Sequence, residues 1–313
     1  MKKIITATVT PEYNNLKLDN FLKTALRLTK KEISRAKFRE SGICINGERK
    51  KTDACLKTGD LVEVLLETGS ETSKTLSAMD KSISVLYEDA DVIIMDKPSG
   101  LSVHPVGKND TDTLANRLAC HLRNRGEDSV IRIFGRLDKD TSGVVLAVKN
   151  RAAAARLERQ REKHVLFKTY LAVAKGSPDP PEGTINTPLA PDPKNRRQMR
   201  IDPEGKSAVT HYETVKYLSP ETFTSHAGLS LIRLHPETGR THQIRVHMAS
   251  VGCPLAGDPL YGSRSMLDIN RTALHAHTVH FLQPFTGEEI LVTAPVPEDI
   301  RLLFPIEIPQ NFL

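Results

Sequence analysis

Gly135-Arg136-Leu137-Asp138-Lys139-Asp140-Thr141-Ser142-Gly143, followed by Val144-Val145-Leu146-Ala147-Val148, sets two acids among cations at the mouth of an apolar run. The run itself reads as a buried strand. Gly135 and Gly143 bracket the segment, and Thr141 and Ser142 can hydrogen-bond nearby backbone, so an ordered turn is expected to feed that strand. Asp138 lies between Arg136 and Lys139, positive charges that suit a carboxylate acting in its ionised form. Such a carboxylate, partly desolvated, serves as a nucleophile or a base. On these residues alone the alternative stands that Asp138 and Asp140 only cap a strand-entry turn. Asp138-x-Asp140-x-Ser142-Gly143 also imitates the opening of an EF-hand loop, but its twelfth position is Lys149 where a bidentate Glu is needed, which argues against calcium.

Outward from this stretch, Val85 to Met95, broken by Glu88-Asp89-Ala90-Asp91, reads as a hairpin. Helices are expected from Thr113 to Arg123 and from Arg151 to Lys163. Strand-like runs recur at Tyr170 to Ala174, Leu229 to Leu234, His275 to Leu282 and Ile290 to Thr293. Helix and strand do not alternate regularly, and no Gly-rich phosphate loop is present, so a mixed, largely antiparallel α+β sheet is expected, without a nucleotide cofactor. The chain of 313 residues, 39% hydrophobic and 26% charged, can build one large core and a smaller module. No apolar run approaches the roughly 20 residues of a membrane helix, and Met1-Lys2-Lys3 does not open a signal peptide, so a cytoplasmic location is expected. Cys44, Cys55, Cys120 and Cys253 lack paired spacing; they are expected to be buried small residues instead of zinc ligands or disulfides.

Of the formal net charge of +6, residues 15–66 hold +5, from twelve basic and seven acidic residues, a footprint suited to phosphate backbones. Thr29-x-x-Glu32 is a capping box, and a helix is expected from Lys30 to Glu40, ended by Gly42, with Lys31, Arg35 and Arg39 on one face. Ile43-Cys44-Ile45 and Asn46-Gly47 read as a strand and tight turn. Residues 67–81, rich in Ser and Thr, are expected to be a flexible linker between a module at 1–66 and a large domain at 82–313.

Gly135-Arg136-Leu137-Asp138 through Thr141-Ser142-Gly143 resembles the active-site motif of the RluA-type pseudouridine synthases. In order along the chain, Asp96-Lys97-Pro98-x-Gly100-Leu101-x-Val103-His104-Pro105, Lys168-x-Tyr170-x-Ala172, Thr238-Gly239-Arg240-Thr241-His242-Gln243-Ile244-Arg245-Val246-His247 and Gly252-x-Pro254-x-x-Gly257-Asp258-x-x-Tyr261-Gly262 resemble it too. The departure is Gly135, where many relatives carry His. Residues 15–66, through Leu18-Asp19-x-Phe21-Leu22, the basic helix and the Asn-Gly turn, resemble an S4 RNA-binding domain. The resemblance implies the pseudouridine synthase fold and isomerisation of uridine in structured RNA, ribosomal or transfer. It implies Asp138 as the catalytic carboxylate, Arg245 as its partner, Tyr170 as the aromatic that stacks on the base, and Arg136 as the arginine that fills the flipped nucleotide's place.

Further RNA contacts are expected from Lys31, Arg35 and Arg39, from the exposed loop carrying Arg196 and Arg197, and from Arg240 and His242. No metal is expected: His242 and His247 are wrongly spaced for a shared ion, and His275 and His277, a better strand-face pair, have no acidic or thiol partner nearby in sequence. A monomer without cofactor is expected. Two rival readings are a noncatalytic RNA-binding or ribosome-assembly factor on the same fold and a metal-dependent RNA hydrolase. The set Asp138, Tyr170 and Arg245 speaks against the first and the histidine spacing against the second.

Overall fold

The computed structural model describes residues 2–26, 28–67, 79–105, 107, 110–127, 131–220, 228–262 and 269–304. The expected linker therefore falls mostly on residues outside this set. The first unit comprises β1 (Lys2–Thr8), α1 (Leu18–Thr24), α2 (Lys30–Lys37), β2 (Ile43–Ile45), β3 (Glu48–Arg49) and β4 (Leu61–Glu67). Its four strands order β1-β4-β2-β3, all antiparallel. The sheet covers a core of its own in which Leu18, Phe21, Leu22, Ile33, Leu56, Val62 and Val64 are buried.

The large unit follows as β5 (Ser84–Glu88), β6 (Val92–Lys97), α3 (Leu114–Asn124), β7 (Arg132–Phe134), β8 (Ser142–Val148), α4 (Arg151–Glu162) and β9 (Phe167–Lys175). It continues with β10 (Glu182–Asn186), β11 (Leu189–Pro191), β12 (Met199–Ile201), β13 (Val209–Leu218), β14 (Leu229–Pro236), α5 (Gln243–Ser250), β15 (Leu274–Leu282), β16 (Glu289–Thr293) and α6 (Glu298–Leu303). One 10-stranded sheet runs β10-β13-β14-β9-β15-β8-β6-β5, with β16 beside β15 and β7 beside β8. Only β8 and β15 pair in parallel, so the expected mixed, largely antiparallel α+β architecture is the one observed.

Every residue of β8 is buried, as its unbroken apolar run requires at the centre of a sheet. Apolar residues of α3 and α4, among them Leu118 and Leu157, join its core. Gly143 has φ 108°, and a Cβ there would lie 2.1 Å from the Ala276 carbonyl oxygen, so only glycine lets β8 enter the sheet directly after the Asp138 turn.

Several expectations need correction. The basic helix ends at Lys37, not at Glu40, because the chain folds back so closely that a Cβ on Gly42 would meet the Ala36 carbonyl oxygen at 1.7 Å. Arg39 thus sits in a turn beyond the helix. Cys55 is exposed while the other three cysteines are buried. β1, unforeseen, extends the first sheet to residue 2. The capping box does form: Glu32 N donates to Thr29 Oγ1 at 3.0 Å and Thr29 N to Glu32 Oε2 at 2.7 Å. The other Glu32 oxygen accepts from Arg156 of α4 at 3.0 Å, and Arg156 lies 4.4 Å over the Phe285 ring, so the first unit packs on the large one.

Among the described residues no helix is long and apolar enough to cross a membrane, and no group of three or more His, Cys, Asp or Glu side chains is placed to hold a metal. His275 and His277 are sheet residues: Ser142 Oγ lies 3.0 Å from His275 Nδ1, and His277 Nδ1 lies 3.0 Å from the Ala294 carbonyl. Burial, helped by His277, pushes the His275 pKa down from 6.5 to about 3. The folded protein keeps this ring neutral while the unfolded chain protonates it below about 6.5. Its contribution is therefore intact above that pH and is lost as pH falls toward 3. Urea unfolding at stepped pH should show stability declining by about 3 kcal/mol from pH 6.5 to pH 4 through this ring, and His275→Gln should flatten that decline. An unchanged slope in the variant would remove His275 as its cause.

Candidate active site

The turn bearing Asp138 is held by its backbone. Thr141 N donates to the Asp138 carbonyl at 3.1 Å and closes it. The Lys139 carbonyl accepts from Gly100 N and from Lys97 Nζ, both at 2.9 Å, and the Asp140 carbonyl accepts from Ser99 Oγ at 2.9 Å and Arg271 Nη1 at 3.3 Å. Lys97 is wholly buried, and its Nζ also donates to the carbonyls of Pro98 and Leu101 at 2.9 and 2.8 Å. Burial pulls its pKa down to about 8, against the nearby charges of Asp140 and Asp138. At neutral pH it therefore remains an ammonium whose three protons meet three carbonyls. Leu137 anchors the turn in the core.

The side chain of Asp138, 22% exposed, faces a cleft lined by the turn, by Lys168 and Tyr170 of β9, and by the segment from Pro236 to Arg245. Its Oδ2 lies 3.4 Å from Arg245 Nη1, a long contact, and 3.8 Å from His242 Nε2. Arg245, buried on α5, directs Nε and Nη2 to the two oxygens of Asp258, each at 2.7 Å. Asp258 is fully buried, and its Oδ1 also accepts from the backbone N–H of Leu260 and Tyr261 at 2.9 and 3.2 Å. The guanidinium is thus fixed along the edge formed by Nε and Nη2 and presents its third nitrogen to Asp138.

His242 precedes α5 with φ 56°, a left-handed conformation that swings its ring into the cleft instead of along the helix. Its Nδ1 lies 2.9 Å from the Tyr261 hydroxyl, which itself accepts from Met199 N at 2.6 Å. The direction of this bond follows the ring's tautomer: when the hydroxyl donates to Nδ1, the ring proton sits on Nε2, facing Asp138. Burial lowers the His242 pKa, against the pull of Asp138 and with the push of Arg245, and keeps the ring neutral at pH 7.

Tyr170 lies in the sheet beside the cleft, half-buried; burial, with the negative charge of Asp138, raises its pKa and keeps the hydroxyl protonated. Lys168, two residues earlier on the same face, donates to the Val144 carbonyl at 2.9 Å, and burial draws its pKa down to about 8. Arg136 and Arg240 are exposed on the rim, Arg240 held by a 3.0 Å bond to the Ser207 carbonyl.

Six residues singled out in the sequence therefore share one cleft: Arg136, Asp138, Tyr170, Arg240, His242 and Arg245. Arg196 and Arg197 do not line it. They are exposed in the loop between β11 and β12, tied to the Asp258 segment through Gln198 Nε2 on the Leu260 carbonyl at 2.6 Å. Lys31, Arg35 and Arg39 lie in the first unit, outside the cleft. Sequence reasoning gave no role to Lys97, Lys168, Asp258 or Tyr261, although all four stand in the quoted motifs; the available signal was a buried-type motif with unpaired charge.

Because Asp258 balances a buried guanidinium, Asp258→Ala should lower the unfolding free energy by about 3 kcal/mol. Asp258→Asn, which keeps an acceptor, should cost less. Urea unfolding at pH 7 compares them, and losses below about 0.5 kcal/mol in both would mean that the pair does not support the site.

A family model described as RNA pseudouridylate synthase matches residues 91–250. YhcT of Bacillus subtilis, named an uncharacterized RNA pseudouridine synthase, is 41% identical over 286 residues, 91% of each chain. The ribosomal large subunit pseudouridine synthase D of Xanthomonas campestris is 35% identical over 312 residues, 96% of this chain and 86% of that one. Among solved structures, human RNA pseudouridylate synthase domain containing 1 superposes with a TM-score of 0.55 at 26% identity, covering 68% of this chain and 83% of its own. The domain-containing-4 protein from human gives 0.54 at 22% identity, covering 69% and 90%, and shows the same fold. With Asp138, Arg245 and Tyr170 gathered in one cleft of that fold, the chain belongs to the RNA pseudouridine synthase family, enzymes that isomerise uridine within RNA.

Proposed function

We propose that this protein converts uridine to pseudouridine in large-subunit ribosomal RNA, with Asp138 as the reacting carboxylate. The observation that carries the assignment is the cleft-facing carboxylate of Asp138, set against the one guanidinium nitrogen of Arg245 that Asp258 leaves available. Relatives named as large-subunit synthases favour ribosomal over transfer RNA. In the reaction the N1–C1′ bond of uridine breaks, the uracil turns within the cleft, and C5 bonds to C1′. The C5 proton leaves as N1 gains one, so the product is an isomer of the substrate and no electrons are exchanged. Attack on the sugar, attack on the base, and removal of a sugar proton all require a carboxylate at this position.

The surrounding side chains have matching roles. Tyr170 offers its ring as a stacking face, and its protonated hydroxyl adds no charge beside Asp138. Arg136, on the rim, enters the space left by the extruded nucleotide, whose unstacking costs a few kcal/mol. His242 brings its neutral ring to within 3.8 Å of the carboxylate. Arg240, Arg196 and Arg197 meet backbone phosphates. Residues 1–66 act as an S4-type holder for the RNA and 82–313 as the catalytic domain, joined through 67–81.

Asp138→Asn, which keeps the shape and removes the charge, should lower single-turnover isomerisation by roughly a thousandfold or more while RNA binding persists. Arg245→Ala should be more damaging than Arg245→Lys, which restores charge without the fork. The assay is site-resolved pseudouridine mapping of ribosomal RNA with and without each protein. Undiminished pseudouridine with Asp138→Asn would sink the assignment.

A further inference from the structure

A second concavity lies away from the Asp138 cleft, where the first unit meets the large one. One wall carries Lys31 and Arg35 of α2 and Arg39 beyond it; the other carries Arg132 at the start of β7 and Arg151 at the start of α4. Lys31, Arg35 and Arg132 are exposed, and among the described residues no carboxylate pairs with them. Glu32, the acidic residue of this groove, is occupied by Thr29 N and Arg156 and faces no groove cation at bonding distance. Both walls thus present positive charge to one space. In isolation such charges repel, so their convergence favours an anion between them.

The spacing of the walls is fixed. Arg156, its side chain 4% exposed, bonds Glu32 at 3.0 Å, and Ala152 of α4 is buried in the core of the first unit. The groove is also close to the cleft along the chain. Arg132 opens β7, whose far end runs through Gly135 and Arg136 into Asp138, so six residues join groove to carboxylate. Fully extended they span at most about 20 Å.

We propose that this groove is a composite phosphate track: α2 of the first unit and the Arg132–Arg151 wall of the large unit together grip the backbone of the same RNA whose uridine lies at Asp138. This rests on the RNA reading above and extends it to residues of the catalytic domain outside the cleft. The ligand is a phosphodiester chain recognised by charge, so the track positions the RNA and carries no base readout.

The test uses the full chain and a fragment of large-subunit ribosomal RNA, with binding measured from 0.05 to 1 M salt. Arg132→Gln should reduce the log–log salt slope by about 0.7–0.9 and weaken binding roughly five- to tenfold at 0.1 M salt. Arg132→Lys should restore most of the slope. Lys31→Gln with Arg35→Gln should remove about twice as much, and kcat/KM should fall with affinity in each case. Lys216→Gln, an exposed cation on β13 far along the chain from either wall, controls for bulk charge and should leave the slope as it is. If Arg132→Gln leaves the slope unchanged, or Lys216→Gln lowers it equally, the composite track is refuted. Absence of pseudouridine formation by the unaltered protein would instead overturn the catalytic reading, independently of these slopes.

Discussion

The site depends on how one guanidinium is divided. Arg245 has five N–H donors in a rigid plane, and Asp258 takes the edge formed by Nε and Nη2. A buried ion pair is sustained only when its geometry is good and its remaining lone pairs are satisfied. Asp258 meets both conditions, since the backbone N–H groups of Leu260 and Tyr261 complete its shell. Gly257, with φ 68°, brings this carboxylate in so closely that a Cβ would lie 2.1 Å from the Arg271 carbonyl oxygen. The direction of Nη1 is therefore set before any substrate arrives, the condition under which a fixed charge is effective in catalysis.

The other half of the site is organised on the opposite principle. Lys97, Ser99, Gly100 and Arg271 hold the main chain of the Asp138 turn and leave its carboxylate unengaged by them. Arg271 is itself fixed by Asp299, with contacts of 2.5 and 2.8 Å. Backbone and side chain of Asp138 are thus positioned by different parts of the chain, with Arg245 lying 107 residues beyond it. A substitution in either set can disturb geometry without touching the carboxylate.

What could be read in advance was local. The capping box at Thr29, the helix after Thr113 and the apolar runs of β8 and β15 are signals confined to a few residues, and each formed close to where it was expected. The basic helix was overestimated because its stop depends on Gly42 closing over Ala36, a contact between turns of chain. β1 was missed because its pairing partner, β4, lies about sixty residues away. His242 read as an RNA contact; only its left-handed backbone turns it toward Asp138. Asp258, Tyr261 and Lys97 went without roles because they act by holding other residues, and nothing in a linear motif states which residue a carboxylate will hold.

Glu32 connects events far apart in time. Its two oxygens close the start of α2 and receive Arg156, which follows 124 residues later. During synthesis at about 5–20 residues per second, roughly ten seconds separate their emergence from the ribosome. Within that interval one oxygen of Glu32 can close the capping box with Thr29, while the oxygen that receives Arg156, and the place that Ala152 takes in the first unit's core, wait for α4. The unit made first thus gains its last packing contacts only when α4 arrives.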